Sequence, residues 1–111
     1  MADQRRVLRF PFEADAEVAP EASPSATMSA RVRQIGFYGC YMETASPFPP
    51  ETPVIVKIFL PGEYFEAKAT VIHVQQASGM GLAFREVRPH FRPVLRAWLT
   101  RAMGKDDPKA G

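Results

Sequence analysis

The segment that most constrains the fold runs from residue 54 to residue 75, where two alternating patterns flank Pro61 and Gly62. In residues 54–60 and again in residues 64–75, apolar side chains recur at every second position. A period of two is typical of a strand with one buried face, and a Pro-Gly pair between two such segments favours a tight turn. We therefore expect a pair of neighbouring strands in the middle of the chain.

Further short strands are predicted on both sides of this pair. Residues 27–33 alternate in the same way, residues 39–44 follow a glycine-containing turn, and residues 80–85 follow a turn at 77–79. Residues 20–25 and 46–53 are expected to be loops, because proline lacks the amide hydrogen that a central strand needs. In total we expect about six short strands.

The period changes only after residue 88. Apolar side chains then follow helical spacing, at Phe91, Leu95, Trp98, Leu99 and Ala102. The prolines at 89 and 93 fit the first turn of a helix, and the glycine at 104 with the charged residues after it predicts the end. Strands without intervening helices, followed by one helix, favour an antiparallel barrel or sandwich with the helix over one open end or edge.

Size and composition predict one soluble domain. The chain has 111 residues, 46% of them hydrophobic and 23% charged, which is enough for one core and not for two. We expect a basic N-terminal arm at 1–13, a barrel with its helix at 14–103 and a disordered tail at 104–111. The single cysteine and the lack of a long apolar run favour a cytoplasmic protein without membrane insertion, either freestanding or part of a longer chain.

The residues that carry chemistry are sparse, and we expect no enzyme activity. Neither His73 nor His90 has a Cys, His or Asp at metal-ligand spacing, so no metal is expected. Cys40 has no neighbouring base and is interpreted as a small buried side chain. No nucleophile with a base and no carboxylate pair is recognisable, and no cofactor is expected.

Two basic clusters stand out. The arm carries Arg5, Arg6 and Arg9, which either form a solvated tail or bind an anion, since guanidinium groups bind phosphates bidentately and match the acceptor edge of guanine. The aromatic residues at 10 and 12 would let the arm dock on a barrel. The second cluster lies at helical spacing at 88, 92 and 96, and is interpreted as a solvated face.

Taken together, these features resemble the PilZ domain family, which consists of six-stranded antiparallel β-barrels that bind the bacterial second messenger cyclic di-GMP. The family's first motif, RxxxR, is present from Arg5 to Arg9 as RRVLR. Its second motif, [DN]xSxxG, falls at Gln34 to Gly39, where the chain reads QIGFYG. The flanking sequence segments are also similar, namely GCYMET, VIVKIFLPG, KATVIHV and GMGLAF. The resemblance therefore covers about residues 5–102.

The resemblance implies an all-β, PilZ-type barrel with a C-terminal α-helix that acts as a cyclic di-GMP receptor. It implies that Arg5 and Arg9 hold the guanines and phosphates, with Arg6 as a helper, and that Gly39 matches the motif glycine. Two positions depart from the pattern. Gln34 replaces Asp or Asn, and Gly36 replaces Ser and so lacks its hydroxyl.

An alternative stays open, because the second motif is degenerate. The chain would then be a PilZ domain that binds no nucleotide and serves as a protein-interaction adaptor, for example in motility or pilus regulation. Its contact residues would be Phe37, Tyr38 and the helix arginines, and its protein partner is not specified. The intact arginine spacing favours the receptor. A nucleic-acid binder ranks last, since the net charge is only +2 and no strand interleaves basic and exposed aromatic residues.

Overall fold

The computed structural model describes residues 9–105, which form six strands, one 3₁₀ turn and one α-helix. The strands are β1 (Phe10–Pro20), β2 (Met28–Ile35), β3 (Gly39–Glu43), β4 (Pro53–Leu60), β5 (Glu63–Gln75) and β6 (Gly79–Glu86). The 3₁₀ turn spans Pro89–Phe91, and helix α1 spans Arg92–Lys105.

The strands close into a barrel in the order β1-β2-β3-β6-β5-β4, and every neighbouring pair is antiparallel. The predicted six-stranded barrel with a C-terminal helix is therefore confirmed. The β4–β5 pair turns at Gly62, whose positive φ of 73° favours glycine. Closure leaves no strand edge unpaired, because β1 pairs with both β2 and β4.

The core is built from the alternating side chains that point into the barrel. On β5 the predicted inward face at 65, 67, 69 and 71 is buried, and on β4 the same holds at 54, 56 and 58. Helix α1 covers one open end with Leu95, Trp98, Leu99 and Ala102, all buried. The Trp98 ring lies 5.3 Å from that of Phe12 and 5.9 Å from that of Phe65, measured between centroids.

Two boundaries differ from the sequence-based ranges. Strand β1 starts at Phe10, so residues 10–13 of the expected arm belong to the barrel, and the sequence analysis assigned no strand to residues 14–19. Helix α1 continues through Gly104, which does not adopt a positive φ and so does not stop the helix. The expected arm residues 1–8 and tail residues 106–111 lie outside the described residues.

Candidate functional site

A row of outward-facing residues crosses the barrel wall from β1 to β5. Pro11 pairs with Gln34, Gln34 with Tyr41, Tyr41 with Gly81, and Gly81 with His73. Directly opposed residues of neighbouring strands point to the same face of a sheet, so these five lie side by side on the outside of the barrel. The glycine in the row leaves a gap between a tyrosine and a histidine.

The side chain of Arg9 reaches this gap. A Cβ atom built on Gly81 would lie 3.7 and 3.8 Å from the two terminal nitrogens of the Arg9 guanidinium, and 3.5 Å from the Cβ of His73. The guanidinium therefore lies over β6, although Arg9 immediately precedes β1. Because Gly81 has no side chain, the guanidinium can approach the backbone closely.

Arg9 keeps its donors unused within the described part of the chain. Its Nε is buried without a hydrogen-bond partner, and no carboxylate among residues 9–105 pairs with it. Arg31 and Arg33, on the same side of the barrel, differ from Arg9 in binding carboxylates of β1 and β3, although the Nε of Arg33 is also buried without a partner. Arg9 is thus a half-buried cation whose planar group is available to an anion or a flat acceptor edge.

Two arginines of β2 form ion pairs on the barrel wall beside the row. Arg31 bridges Asp15 and Glu13, and Arg33 bridges Glu13 and Glu43, with N–O distances of 2.8–3.4 Å. These hydrogen bonds raise the pKa of both guanidinium groups, so both stay charged. The side chains are well exposed, which limits what each pair contributes to stability. They pair three acidic side chains of β1 and β3 with cations of β2.

Cys40 lies on the inner side of the wall near Arg9. Burial raises the pKa of its thiol to about 12, and the nearby positive charge of Arg9 offsets only part of that rise. A thiol that stays protonated at neutral pH is a poor nucleophile. The expectation of a small buried side chain agrees with the structure, and this residue does not supply covalent chemistry to the site.

The second motif forms the turn between β2 and β3. Gln34 is exposed on the row, whereas Gly36 is buried and its amide donates to the carbonyl oxygen of Gly39 at 2.8 Å. At Gly39 a Cβ atom would lie 2.0 Å from the carbonyl oxygen of Leu82, so β6 passes too close for any other residue. This glycine is required by strand packing, whatever else it does.

Two aromatic side chains project from the tip of the same turn. Phe37 is 50% exposed and Tyr38 is 74% exposed, which makes them two of the most exposed large apolar side chains of the described residues. The backbone beneath them is fixed, because the amide of Phe84 donates to the carbonyl oxygen of Tyr38 at 2.8 Å. An anchored turn with exposed rings can offer them to a partner without first becoming ordered.

The structure thus gathers four of the six residues predicted for the site. Arg9, Gln34, Gly36 and Gly39 lie at the adjoining ends of β1, β2 and β3, while Arg5 and Arg6 lie outside the described residues. Sequence analysis missed the row partners Tyr41, His73 and Gly81. Of these three, only Gly81 had a signal in the sequence. A glycine inside a strand often indicates the close approach of another group.

Other sites are limited. A groove of about 590 Å³ lies between β1, the β4–β5 turn and α1, lined in part by Phe12, Glu63 and Arg101. His73 and His90 are exposed, and residues 9–105 hold no cluster of three side chains suited to a metal ion. No helix of the described chain is long and apolar enough to cross a membrane.

Comparison with known proteins identifies the fold. The chain matches no protein-family model and no curated protein. Among solved structures, the PilZ domain with c-di-GMP of YcgR from Escherichia coli aligns over 96% of this chain and 97% of its own, with a TM-score of 0.76 and 14% identity. The PilZ domain of CeSA from a cellulose-synthesizing bacterium aligns over 90% and 99%, with a TM-score of 0.63 and 18% identity.

A third structure is larger than this chain. The Bacillus subtilis inhibitor of motility MotI/DgrA aligns over 92% of this chain and 51% of its own, with a TM-score of 0.73 and 18% identity. This chain therefore spans about half of that protein. At such identities the likeness establishes the fold alone, which is that of PilZ domains.

Proposed function

We propose that the chain is a cyclic di-GMP receptor that binds the nucleotide on the outer face of the barrel, at the Arg9 row. The observation that carries this proposal is the placement of the Arg9 guanidinium over Gly81, with a buried Nε that has no partner within the described residues. Arg5 and Arg6 would add further guanidinium groups from the arm, as the RxxxR spacing predicts. A structural neighbour solved with c-di-GMP supports this choice of ligand.

The chemistry of the row suits a guanine nucleotide. A guanidinium can take O6 and N7 of guanine or a phosphate through paired hydrogen bonds, and it can also stack on the base. Gln34 offers an exposed amide at the neighbouring position of the row. The gap at Gly81 keeps the wall flat beneath Arg9, as a planar ligand requires.

The altered second motif lowers the expected affinity and does not abolish the site. A hydrogen bond to a charged group contributes about 1.5–3 kcal/mol, so the missing hydroxyl at Gly36 costs about ten- to a hundredfold in affinity. Gly36 does not adopt a positive φ, so its backbone φ does not exclude a side chain. Substitution by serine therefore tests whether the missing hydroxyl limits the affinity.

Calorimetric titration with cyclic di-GMP tests the proposal. Wild-type protein is expected to bind, Arg9→Ala to lose at least tenfold in affinity, and Gly36→Ser to gain at least several-fold. Arg96→Ala is the matched control, because Arg96 is equally cationic but lies exposed on helix α1. A folded wild-type sample that releases no heat at high micromolar concentration would falsify the receptor proposal, and an Arg9→Ala variant that binds like wild type would refute the role of Arg9.

A second candidate function is that of a protein-interaction adaptor that does not bind nucleotide. The observation in its favour is the pair of exposed rings, Phe37 and Tyr38, on a turn with a fixed backbone. Aromatic side chains in such a position are typical of the energetic centre of a protein interface. Purification of the partner with wild-type protein and with a Phe37→Ala/Tyr38→Ala variant tests it: the double variant should lose the partner, and added cyclic di-GMP should not matter.

A further inference from the structure

Charge is unevenly distributed between the barrel wall and the C-terminal helix. Residues 88–105 contain Arg88, Arg92, Arg96, Arg101 and Lys105 and neither Asp nor Glu. Ten of the twelve acidic residues of the chain precede this segment, and the other two are Asp106 and Asp107. The helix therefore carries a set of positive charges that it cannot neutralise within its own turns.

The ion pairs of the arginines also differ between the barrel wall and the start of α1. Arg31, Arg33 and Arg85 on the barrel wall and Arg101 near the end of α1 each bind a carboxylate. Within residues 9–105, no carboxylate lies within salt-bridge distance of Arg88, Arg92 or Arg96. All three are exposed. We call these three residues the basic face.

Two residues of the basic face lie on the helix. Arg92 and Arg96 are four residues apart in α1, about 6 Å along its axis, and they lie exposed along one border of the stripe that buries Leu95 and Leu99. Arg88 precedes α1 by four residues and has an extended backbone at the N-cap of the 3₁₀ turn. The Nε of Arg92 donates to the carbonyl oxygen of Val87 at 3.0 Å, which orients its guanidinium and leaves the two terminal nitrogens for other partners.

The position of these charges opposes helix stability. The N-terminal end of a helix carries the positive end of the macrodipole, so cations there are unfavourable. The first turn of α1 contains no acidic residue to offset it. An acidic group from outside the chain would relieve both the repulsion among the arginines and their conflict with the dipole.

Aromatic side chains lie beside the basic face. Arg88 and Phe91 line a small cavity of about 110 Å³ together with Glu66 and Glu86 of the barrel wall. Phe91 contacts the partly exposed Tyr64 edge-on at 5.5 Å between ring centroids. Arginine and tyrosine are among the residues that dominate protein interfaces.

We propose that the basic face, flanked by Phe91 and Tyr64, docks an acidic segment of a partner protein whose carboxylates are spaced by one helical turn. The inference shares with the adaptor function the requirement for a protein partner, does not depend on whether the chain also binds nucleotide, and names the chemistry of that partner. Charge complementarity supports the choice, since Arg92 and Arg96, one helical turn apart, match carboxylates at the same spacing, and Arg88 adds a third positive charge. The flanking rings of Phe91 and Tyr64 favour a protein as the occupant over a nucleic acid or a membrane.

Fluorescence anisotropy with a defined peptide tests this proposal. The probe is a labelled alanine-based helix with glutamate at i, i+4 and i+8, and its control carries glutamine at the same three positions. We expect saturable binding of the glutamate peptide, at least tenfold weaker binding of the glutamine peptide, and a loss of affinity between about 0.1 M and 1 M salt. The Arg92→Gln/Arg96→Gln variant should bind the glutamate peptide at least tenfold more weakly.

Two controls separate this proposal from the others. Arg31→Gln removes an arginine of the barrel wall and should leave peptide binding unchanged. The Arg92→Gln/Arg96→Gln variant should retain the cyclic di-GMP affinity of wild type, so that loss of the docking face and failure of the nucleotide site are distinguishable. Equal binding of both peptides, or no loss in the double variant, would overturn the proposal. It would also be overturned if the basic face bound mixed phosphatidylcholine–phosphatidylserine vesicles or oligothymidylate more tightly than the glutamate peptide.

Discussion

At the scale of single residues, the glycines of the site have different physical roles. Gly39 has no room for a side chain, since the carbonyl oxygen of Leu82 occupies the space where a Cβ would stand. At Gly81 a Cβ would fit, in ordinary contact with Arg9, so the fold does not require glycine there. The missing side chain instead keeps the surface flat. Gly36 is buried without a positive φ, so its backbone φ does not require glycine.

Replacing Gly39 by alanine is predicted to destabilise the barrel. The added methyl group meets backbone that cannot move without disturbing β6, and overpacking of this kind costs about 1–3 kcal/mol. Chemical denaturation measures the change. Gly104→Ala is the matched control, because that position is helical and open, and the substitution should stabilise the protein by about 0.5–1 kcal/mol. Equal stabilities of the two variants would contradict the close approach at Gly39.

The thiol of Cys40 is predicted to be unreactive in the folded protein. Its pKa is raised to about 12 by burial, whereas an unfolded thiol titrates near about 8.5. Because the folded pKa is the higher one, the contribution of this group to stability is complete below about pH 8.5 and is lost as the pH rises towards 12. Labelling with a thiol reagent at pH 8 should proceed only as fast as the protein opens, and a rapid reaction with folded protein would contradict the buried position.

At the scale of elements, one carboxylate attaches helix α1 to the barrel. Glu63, the first residue of β5, accepts hydrogen bonds at its Oε1 from the indole nitrogen of Trp98 and from Arg101, both at 2.6 Å. The indole nitrogen belongs to a fully buried side chain and needs a partner. The bond to Arg101, and then the bond to Trp98, lower the pKa of this carboxyl.

The contribution of Glu63 is predicted to depend on pH. Since its folded pKa is depressed, the stabilisation is present above the unfolded pKa of about 4.3 and disappears as the pH falls through the folded pKa. Glu63→Gln keeps an acceptor for the indole and removes the charge, so wild type should be more stable at pH 7 and the difference should vanish in acid. Thermal unfolding, monitored by Trp98 fluorescence at pH 7 and in acid, measures the stability of wild type and of the variant. A stability difference that stays constant with pH would rule out the ionic contribution.

At the scale of the whole molecule, the proposed nucleotide site and the C-terminal helix both involve strand β1. Arg9 immediately precedes β1, and Phe12 within it stacks on Trp98 of α1 at 5.3 Å with an interplanar angle of 28°. A ligand that repositions Arg9 therefore acts on a strand that touches the helix carrying the basic face. This gives a short physical connection between ligand binding and a partner surface.

Binding of cyclic di-GMP is predicted to change the emission of Trp98, the only tryptophan of the chain. The change should saturate with the same affinity that calorimetry gives. Phe12→Ala should keep most of the binding and lose most of the spectral change, because the ring contact is removed while Arg9 remains. Leu60→Ala, on the other side of the groove beside α1, is the control for general loosening of that end of the barrel. Nucleotide binding with an unchanged Trp98 spectrum would exclude this connection.

The elements that the sequence predicted are those with strong periodic patterns. Strands β4, β5 and β6 follow from apolar alternation and the turns between them, and α1 follows from helical spacing around Trp98. Strand β1 was missed because its inward residues beyond Phe12 include Ala14 and Ala16, alternating with Asp15 and Glu17, all of them poor strand formers. Pairing with β2 and β4 on both sides overrides that weak local preference.

Periodicity and motif spacing are local properties of a chain, so the residue pattern alone predicts the all-β class, the terminal helix and a candidate arginine arm. The position of Arg9 over Gly81 follows only from the folded chain, since these residues are far apart in sequence and meet through the register of β1, β2, β3 and β6. The folded chain also shows which arginines are neutralised and which stay exposed on α1. Such long-range pairings depend on strand register, which the local pattern of residues does not specify.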